Sequence, residues 1–398
     1  VRRFTSQRRN NGLTVKQRQV FYIHGFDPRG PGHYHSLYRT QSARQSAVNG
    51  LDIAVSRRRR RSAHSHHWQL HTHHTRTDYC YLGWDDIIRR HWAKGWFDIL
   101  GDLGCFLWAY VLSGRVIAFA RASHKQLIAG FYPAIYILLS VVFSAWLAWQ
   151  LPALLPWHAL PTGAALPGQA ALGLALFWLL MQGARRLGNR LAVFWLLRIY
   201  AFSAKWAKGG IPGLETRAAR FADDIANAIR NTDNDEILVV AHSVGTMVVI
   251  PAMAAALARI TDPALFANKR VVLITLGECI PLISFQPRAH EFRQALQQLG
   301  QDPRLLWLDY TAPTDGACFP LLDPVTSCGL NRAPNAGPHL LSPRFFTLYE
   351  AGHYKKLRRA WYTMHFLYLM AADKPGRYDY FAFTAGPRPI AQHLETQP

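Results

Sequence analysis

Ser243 stands in the stretch Glu236 to Pro251, EILVVAHSVGTMVVIP, between an apolar β-branched run and a helix-compatible one. Ile237 to Val240 reads as a buried strand and Thr246 to Ala258 as a helix. Between them, Ala241-His242-Ser243-Val244-Gly245 sets small residues on either side of the serine. A sharp strand-to-helix turn of this kind lifts the hydroxyl off the carboxyl end of a sheet and aims backbone N–H groups at whatever the hydroxyl attacks. A small-x-Ser-x-Gly string is common by chance; its setting between strand and helix gives it weight. The chemistry on offer is nucleophilic. A serine hydroxyl reacts poorly at neutral pH unless a base lies in hydrogen-bond reach and an acid orients that base.

A second segment points the same way. Gln19-Val20-Phe21-Tyr22-Ile23 is an apolar strand that runs straight into His24-Gly25-Phe26-Asp27. On these residues, Val20 to Asp27 and Ile237 to Ala258, the chain resembles the α/β-hydrolase superfamily. The resemblance implies acyl transfer to water from an ester, thioester or amide, with a Ser-His-Asp triad and no cofactor or metal. It implies an oxyanion hole made by the backbone N–H groups of Val244 and Phe26, with His24 and Gly25 bracing the loop. Such donors are typically worth about 2.7–4 kcal/mol each to a transition state. It also implies the order serine, acid, histidine. Two features depart from the family plan: only a short basic segment precedes the His-Gly strand, and the distance from that strand to the serine is long.

The acid is sought after a strand downstream of Ser243. Leu305 to Tyr310 is such a strand, and Asp315 lies in the turn that follows it, where a carboxylate reaches an imidazole. Asp309 sits inside the strand and Asp323 lies farther on; Asp315 is the first choice, although a plain turn residue before Gly316 reads the same way. Four histidines follow: His339, His353, His365 and His393. His365 falls in the apolar stretch Tyr362 to Leu369, where a buried imidazole needs a polar partner. His393 alone follows Tyr378 to Thr384, which reads as a last strand, so strict family order favours it. The tail around it reads as too polar and short to be held firmly. His365 is therefore the expected base, against the ordinary reading of a satisfied core histidine.

The elements that position these residues alternate as in an α/β domain. Helices are expected over His35 to Val48, Leu214 to Arg230 and Tyr354 to Met370, and strands over Trp68 to His74, Arg270 to Leu276 and Leu305 to Tyr310. Between the two catalytic segments, Gln126 to Ala184 contains no Asp, Glu, Lys or Arg. Leu127 to Leu151 exceeds the roughly 20 apolar residues that cross a bilayer core, and Ala170 to Ala184 continues a second apolar run. Trp146, Trp149 and Trp157 cluster near the Pro/Gly-rich turn as interface anchors do. Arg115, Arg121 and Lys125 precede the hairpin, and Arg185, Arg186, Arg190 and Arg198 follow it, which sets both ends in the cytoplasm. Phe97 to Ala120 and Leu191 to Trp206 suit interfacial helices or ordinary cap helices.

The expected architecture is an α/β-hydrolase-like, mostly parallel sheet with flanking helices and an inserted helical membrane hairpin or cap. Residues 1–96 and 211–398 would form the hydrolase domain, and 97–210 the insertion. The expected protein is a serine hydrolase at the inner (cytoplasmic) membrane, its catalytic domain facing the cytoplasm and its substrate lipid-like or amphipathic. A hydrolase fold kept as an inactive membrane scaffold or binding module is the alternative.

With 45 Lys+Arg against 24 Asp+Glu among 398 residues, the formal charge of +21 favours an acidic partner. The five arginines Arg57 to Arg61 suit anionic lipid better than nucleic acid, since no nucleic-acid motif accompanies them; a solvated loop is the plain reading. Arg29, His33 and His35, in the loop after Asp27, suit either an anionic head group or solvent. The histidine-rich segment His64, His66, His67, His71, His73 and His74 reads as a polar edge strand before it reads as a metal site. Cys80, Cys105, Cys279, Cys318 and Cys328 are irregularly spaced and read as reduced thiols, with Cys279 structural. No apolar segment of signal-peptide length precedes Val20.

Overall fold

The computed structural model of the protein describes residues 14–92, 95–156, 162–231, 233–267 and 269–395. Two compact units result. One comprises the chain up to His91 and from Trp206 onward; the other is Trp92–Lys205.

The first unit is α/β, with a mixed, mostly parallel sheet. Its strands are β1 (Gln17–Ile23), β2 (Ala54–Val55), β3 (Arg59–Arg60), β4 (Ser65–His71), β5 (Arg76–Leu82), β6 (Glu236–His242), β7 (Arg270–Leu276), β8 (Leu305–Tyr310) and β9 (His339–Leu341). The order is β2-β4-β5-β1-β6-β7-β8-β9, with β3 also on β4. From β5 to β9 every neighbouring pair is parallel, whereas β4 runs antiparallel to β5, β2 and β3. Parallel strands covered on both faces read as apolar runs, as do Val20 to Ile23 of β1, Ile237 to Ala241 of β6 and Val271 to Ile274 of β7. One face, carrying Tyr22, Val240, Ile274 and Tyr310, packs with Tyr34 and Tyr38 of the helix Gly30–Asn49 and with Phe381 and Phe383. The helices Leu214–Asn231 and Gly245–Ala258 pack on each other and against β6.

Sequence and structure part company at the ends of the chain's elements. Tyr378 to Thr384 is not a strand: Asp379 accepts the Phe381 and Ala382 amides and caps the helix Tyr380–Ala385. A local cap outweighs the β preference of the aromatics. Tyr354 to Met370 is not one helix but Ala351–Leu357, Trp361–Phe366 and a short 3₁₀ turn. The strand expected over Trp68 to His74 ends at His71, and His73 and His74 fall in the turn before β5.

The tail is also better held than its polarity suggests. Arg18 and Glu236, both buried, pair at 2.8 Å. Arg18 further donates to the Gly386 and Arg388 carbonyls, and the Ile390 amide donates to Glu236 Oε1 at 2.8 Å.

In the second unit, the helices His124–Ala153 and Thr162–Arg190 pack together. Both are long and apolar enough to cross a membrane by length and composition, with mean hydropathies of 2.0 and 1.6. At 1.5 Å per residue, each exceeds a hydrocarbon core of about 30 Å. Gly173 is needed at their crossing, because a Cβ there would lie 2.9 Å from the Ala148 carbonyl oxygen. Tyr136 donates to the Ala184 carbonyl at 2.7 Å. Outward-facing Leu138, Leu139, Phe143, Trp149, Leu174 and Trp178 are exposed. Trp157 lies outside the described residues.

Candidate active site

Strand β6 delivers Ser243 at its carboxyl end, and the helix Gly245–Ala258 begins two residues later. Ser243 takes φ +57°, a left-handed conformation that costs a non-glycine residue energy and persists only where its surroundings enforce it. They do so here. The Ser243 amide donates to the Leu276 carbonyl at 2.9 Å, and the Ser243 carbonyl accepts the Thr246 amide and hydroxyl at 2.9 and 2.6 Å. Glycines make the turn possible. A Cβ on Gly245 would lie 2.5 Å from the carbonyl oxygens of Ile23 and His24. One on Gly25 would lie 2.8 Å from Ser243 Cβ and 3.2 Å from Oγ. The Gly25–Phe26 segment after β1 and the Val244 amide at the helix start thus border the hydroxyl. His24 is buried between the rings of Tyr81, stacked at 5.1 Å, and Trp84, at 5.6 Å. Its carbonyl accepts the Trp84 indole N–H at 2.9 Å. Burial lowers His24 to about 4, so the ring is a neutral brace.

Asp315 and His365 come to this turn from the far half of the sheet. Asp315 lies in the loop after β8, and His365 in the helix Trp361–Phe366 after β9. His365 Nε2 is 2.7 Å from Ser243 Oγ, and His365 Nδ1 is 2.8 Å from Asp315 Oδ2. An ionised carboxylate only accepts, so Nδ1 carries the hydrogen and Nε2 is left to accept the serine proton. Relative exposures of 3 % for Ser243, 1 % for His365 and 0 % for Asp315 take all three out of bulk water. Burial pushes the Asp315 carboxyl up, but the neighbouring His365 and hydrogen bonds from His365 and the Ala317 amide outweigh it and hold the group below its ordinary value.

The other candidates lie elsewhere. Asp309 accepts from Thr275 Oγ1 at 2.6 Å, and burial raises it to about 8. Asp323 caps the turn at Val325 and Thr326. His339 opens β9 opposite Leu308, and His353 pairs with Asp373 at 2.7 Å. His393 packs on Phe383, in the tail fixed by Arg18 and Glu236 at the amino ends of β1 and β6. The length of β6, roughly 20 Å, separates that end from Ser243. Arg29 is paired to Asp27 and lies 5.6 Å from the Phe366 ring centroid; His35 donates to the Ser56 carbonyl. His64 and His67 turn to Arg217 and Asp78. Among the described residues, no group of three His, Cys, Asp or Glu side chains converges as a metal site. None of the five cysteines forms a disulfide, and burial raises the Cys279 thiol. Arg57 to Arg61 are all exposed at the surface.

Three neighbours escaped the sequence reading. His242 is buried and donates from Nε2 to the His365 carbonyl at 2.8 Å, with the two rings 5.0 Å apart. Burial lowers it to about 3, which keeps a second positive charge away from His365. Gly277, at φ +56°, leaves room where a Cβ would lie 3.3 Å from both Asp315 Oδ2 and His365 Cε1. Tyr368 reaches Asp315 from the turn after His365. Only the position of His242 inside the elbow gave a signal.

The arrangement is chemically a hydroxyl, a base and an orienting acid, joined by two short hydrogen bonds beside the start of a helix. Compared with models of known families, with curated proteins and with solved structures, the chain has no match.

Proposed function

We propose that the protein is a membrane-anchored serine hydrolase of α/β-hydrolase type. The observation that carries this reading is the hydrogen-bonded chain Ser243–His365–Asp315, at 2.7 and 2.8 Å, anchored on a serine in a left-handed turn. The three residues follow β6, β8 and β9 of one sheet, in the order serine, acid, histidine. In the reaction, Ser243 Oγ attacks an acyl carbonyl as His365 Nε2 takes its proton. The carbonyl oxygen becomes an oxyanion received by the Val244 and Phe26 N–H groups. His365 returns the proton to the leaving group as its bond to the acyl carbon breaks. Water, deprotonated by the same imidazole, then attacks the acyl carbon; the bond to Ser243 Oγ breaks, the proton returns to Oγ and the acid leaves. Asp315 stays ionised and stabilises the imidazolium.

The substrate is an ester, thioester or amide of an amphipathic molecule. Supporting this are the two helices in the same chain that are long and apolar enough to cross a bilayer, whose lipids carry such groups. We assign it to the inner membrane, with the catalytic unit on the cytoplasmic side. Hydrolysis of a medium-chain p-nitrophenyl ester by the detergent-solubilised protein tests the reading. Ser243→Ala should lower kcat by about 10⁴-fold or more. A variant as active as the parent would overturn it.

A further inference from the structure

We infer that Tyr368 is a positioning residue for this triad: its phenol grips the Asp315 oxygen that also holds His365, and so sets how strongly His365 acts as a base. The inference rests on the triad proposed above.

Tyr368 is fully buried. The Ala312 amide donates to its oxygen at 2.8 Å, so the phenol's single hydrogen is directed at Asp315 Oδ2, 3.1 Å away. That oxygen also takes the His365 Nδ1 hydrogen, while Oδ1 takes the Ala317 amide. The carboxylate therefore has donors on both oxygens, two of them on Oδ2, with the Cys318 thiol as a further hydrogen-bonding neighbour. Tyr368 lies three residues after His365, so one turn of chain supplies both.

The ring is fixed as firmly as the hydroxyl. Its Cε2 lies where a Cβ on Gly277 would approach to 2.9 Å. The ring packs edge-to-face with Phe345, centroids 5.1 Å apart, and the Tyr378 hydroxyl donates to the Tyr368 carbonyl at 2.6 Å. A side chain that served only to fill space would not need its oxygen placed between an amide and the carboxylate.

The consequence is electrostatic. A second donor on Oδ2 draws charge from the oxygen that stabilises the imidazolium. Removing it leaves that charge to His365, which then binds its proton more tightly. The other groups around the imidazole are Ser243, the neutral His242 ring, and the buried thiols Cys279 and Cys318, with Asp27 farther off. Of these, the Cys318 thiol also lies against the Tyr368 hydroxyl, with Sγ 3.8 Å from its oxygen.

The test uses the full chain in detergent and the pH profile of kcat/KM for the p-nitrophenyl ester. Tyr368→Phe should move the acid limb to higher pH by about half a unit and lower kcat about tenfold, with KM within about twofold. Replacing Tyr368 by 3-fluorotyrosine, a stronger donor of nearly the same shape, should move the limb to lower pH. It also keeps the test decisive if the phenylalanine variant does not fold. Tyr378→Phe, which loses only a structural bond, should lower Tm and leave the limb in place. An unmoved limb in the Tyr368 variants, with activity falling only as Tm falls, would overturn the role of Tyr368 alone. A wild-type protein whose hydrolysis does not depend on Ser243 would overturn the triad, and this inference with it.

Discussion

His365 and His393 make opposite predictions about the base, and substitution separates them. His365→Ala should lower kcat by several orders of magnitude with little change in KM, as the loss of a proton relay does. His393→Ala should leave kcat unchanged, because its imidazole packs on Phe383 at the other end of the sheet. The buried histidines also set acid stability. His24 and His242 sit at about 4 and about 3, below the ordinary value of about 6.5. The unfolded chain therefore binds more protons than the native one below pH 6.5. Stability is complete above that pH and falls as pH drops towards 4, by roughly 1.4 kcal/mol per pH unit for each ring. Melting curves between pH 7 and 4.5 should show this, and His24→Phe should flatten the decline. Ser243, Asp315 and His365 were legible because each falls where a strand, a turn or an apolar stretch gives a polar residue a reason to be there. Tyr368 and Gly277 were not, since their importance lies in contacts with Asp315 that cross between separate loops.

At the scale of elements, the elbow depends on close backbone approach rather than on the serine. Gly245→Ala would press a methyl group onto the Ile23 and His24 carbonyls, and neither backbone atom can rotate away. The cost should be about 1–3 kcal/mol, read as a lower Tm, and hydrolysis should fall with it because the β1 loop and the serine are forced apart. The strands β7 and β8 were read from sequence with their observed bounds, since continuous apolar runs leave little else to choose. Strand β5 was missed because polar Arg76, Thr77 and Asp78 open it, and it is defined by pairing with β4 and β1. Strand β9 has three residues, too few for any periodicity, and owes its place to β8. Reading Tyr378 to Thr384 as a last strand made His393 look like the histidine that follows it. With β9 in place and Tyr380–Ala385 helical, His365 meets that condition itself.

For the whole molecule, the membrane reading and the catalytic reading constrain each other. A single crossing would leave Phe26 and Ser243 on opposite sides of a bilayer; two crossings return the chain to one side. Alkaline carbonate should therefore leave the protein in the membrane pellet. In a background freed of native cysteines, Gly163→Cys should react with an impermeant reagent from outside and Lys208→Cys should not. Release by carbonate would point to a soluble cap and remove the reason for an amphipathic substrate. The two apolar helices were plain in the sequence, because the run Gln126 to Ala184 carries no Asp, Glu, Lys or Arg. The side-by-side packing of its helices at Gly173 was not, since helix-forming propensity carries no pairing information. The central claim is that Ser243 is an activated nucleophile. It is tested most directly by treating native membranes with a fluorophosphonate and locating the adduct by peptide mass spectrometry. The account predicts a single phosphonylated site at Ser243, absent from heat-denatured protein and from His365→Ala. An intact protein with Ser243 unmodified would contradict it.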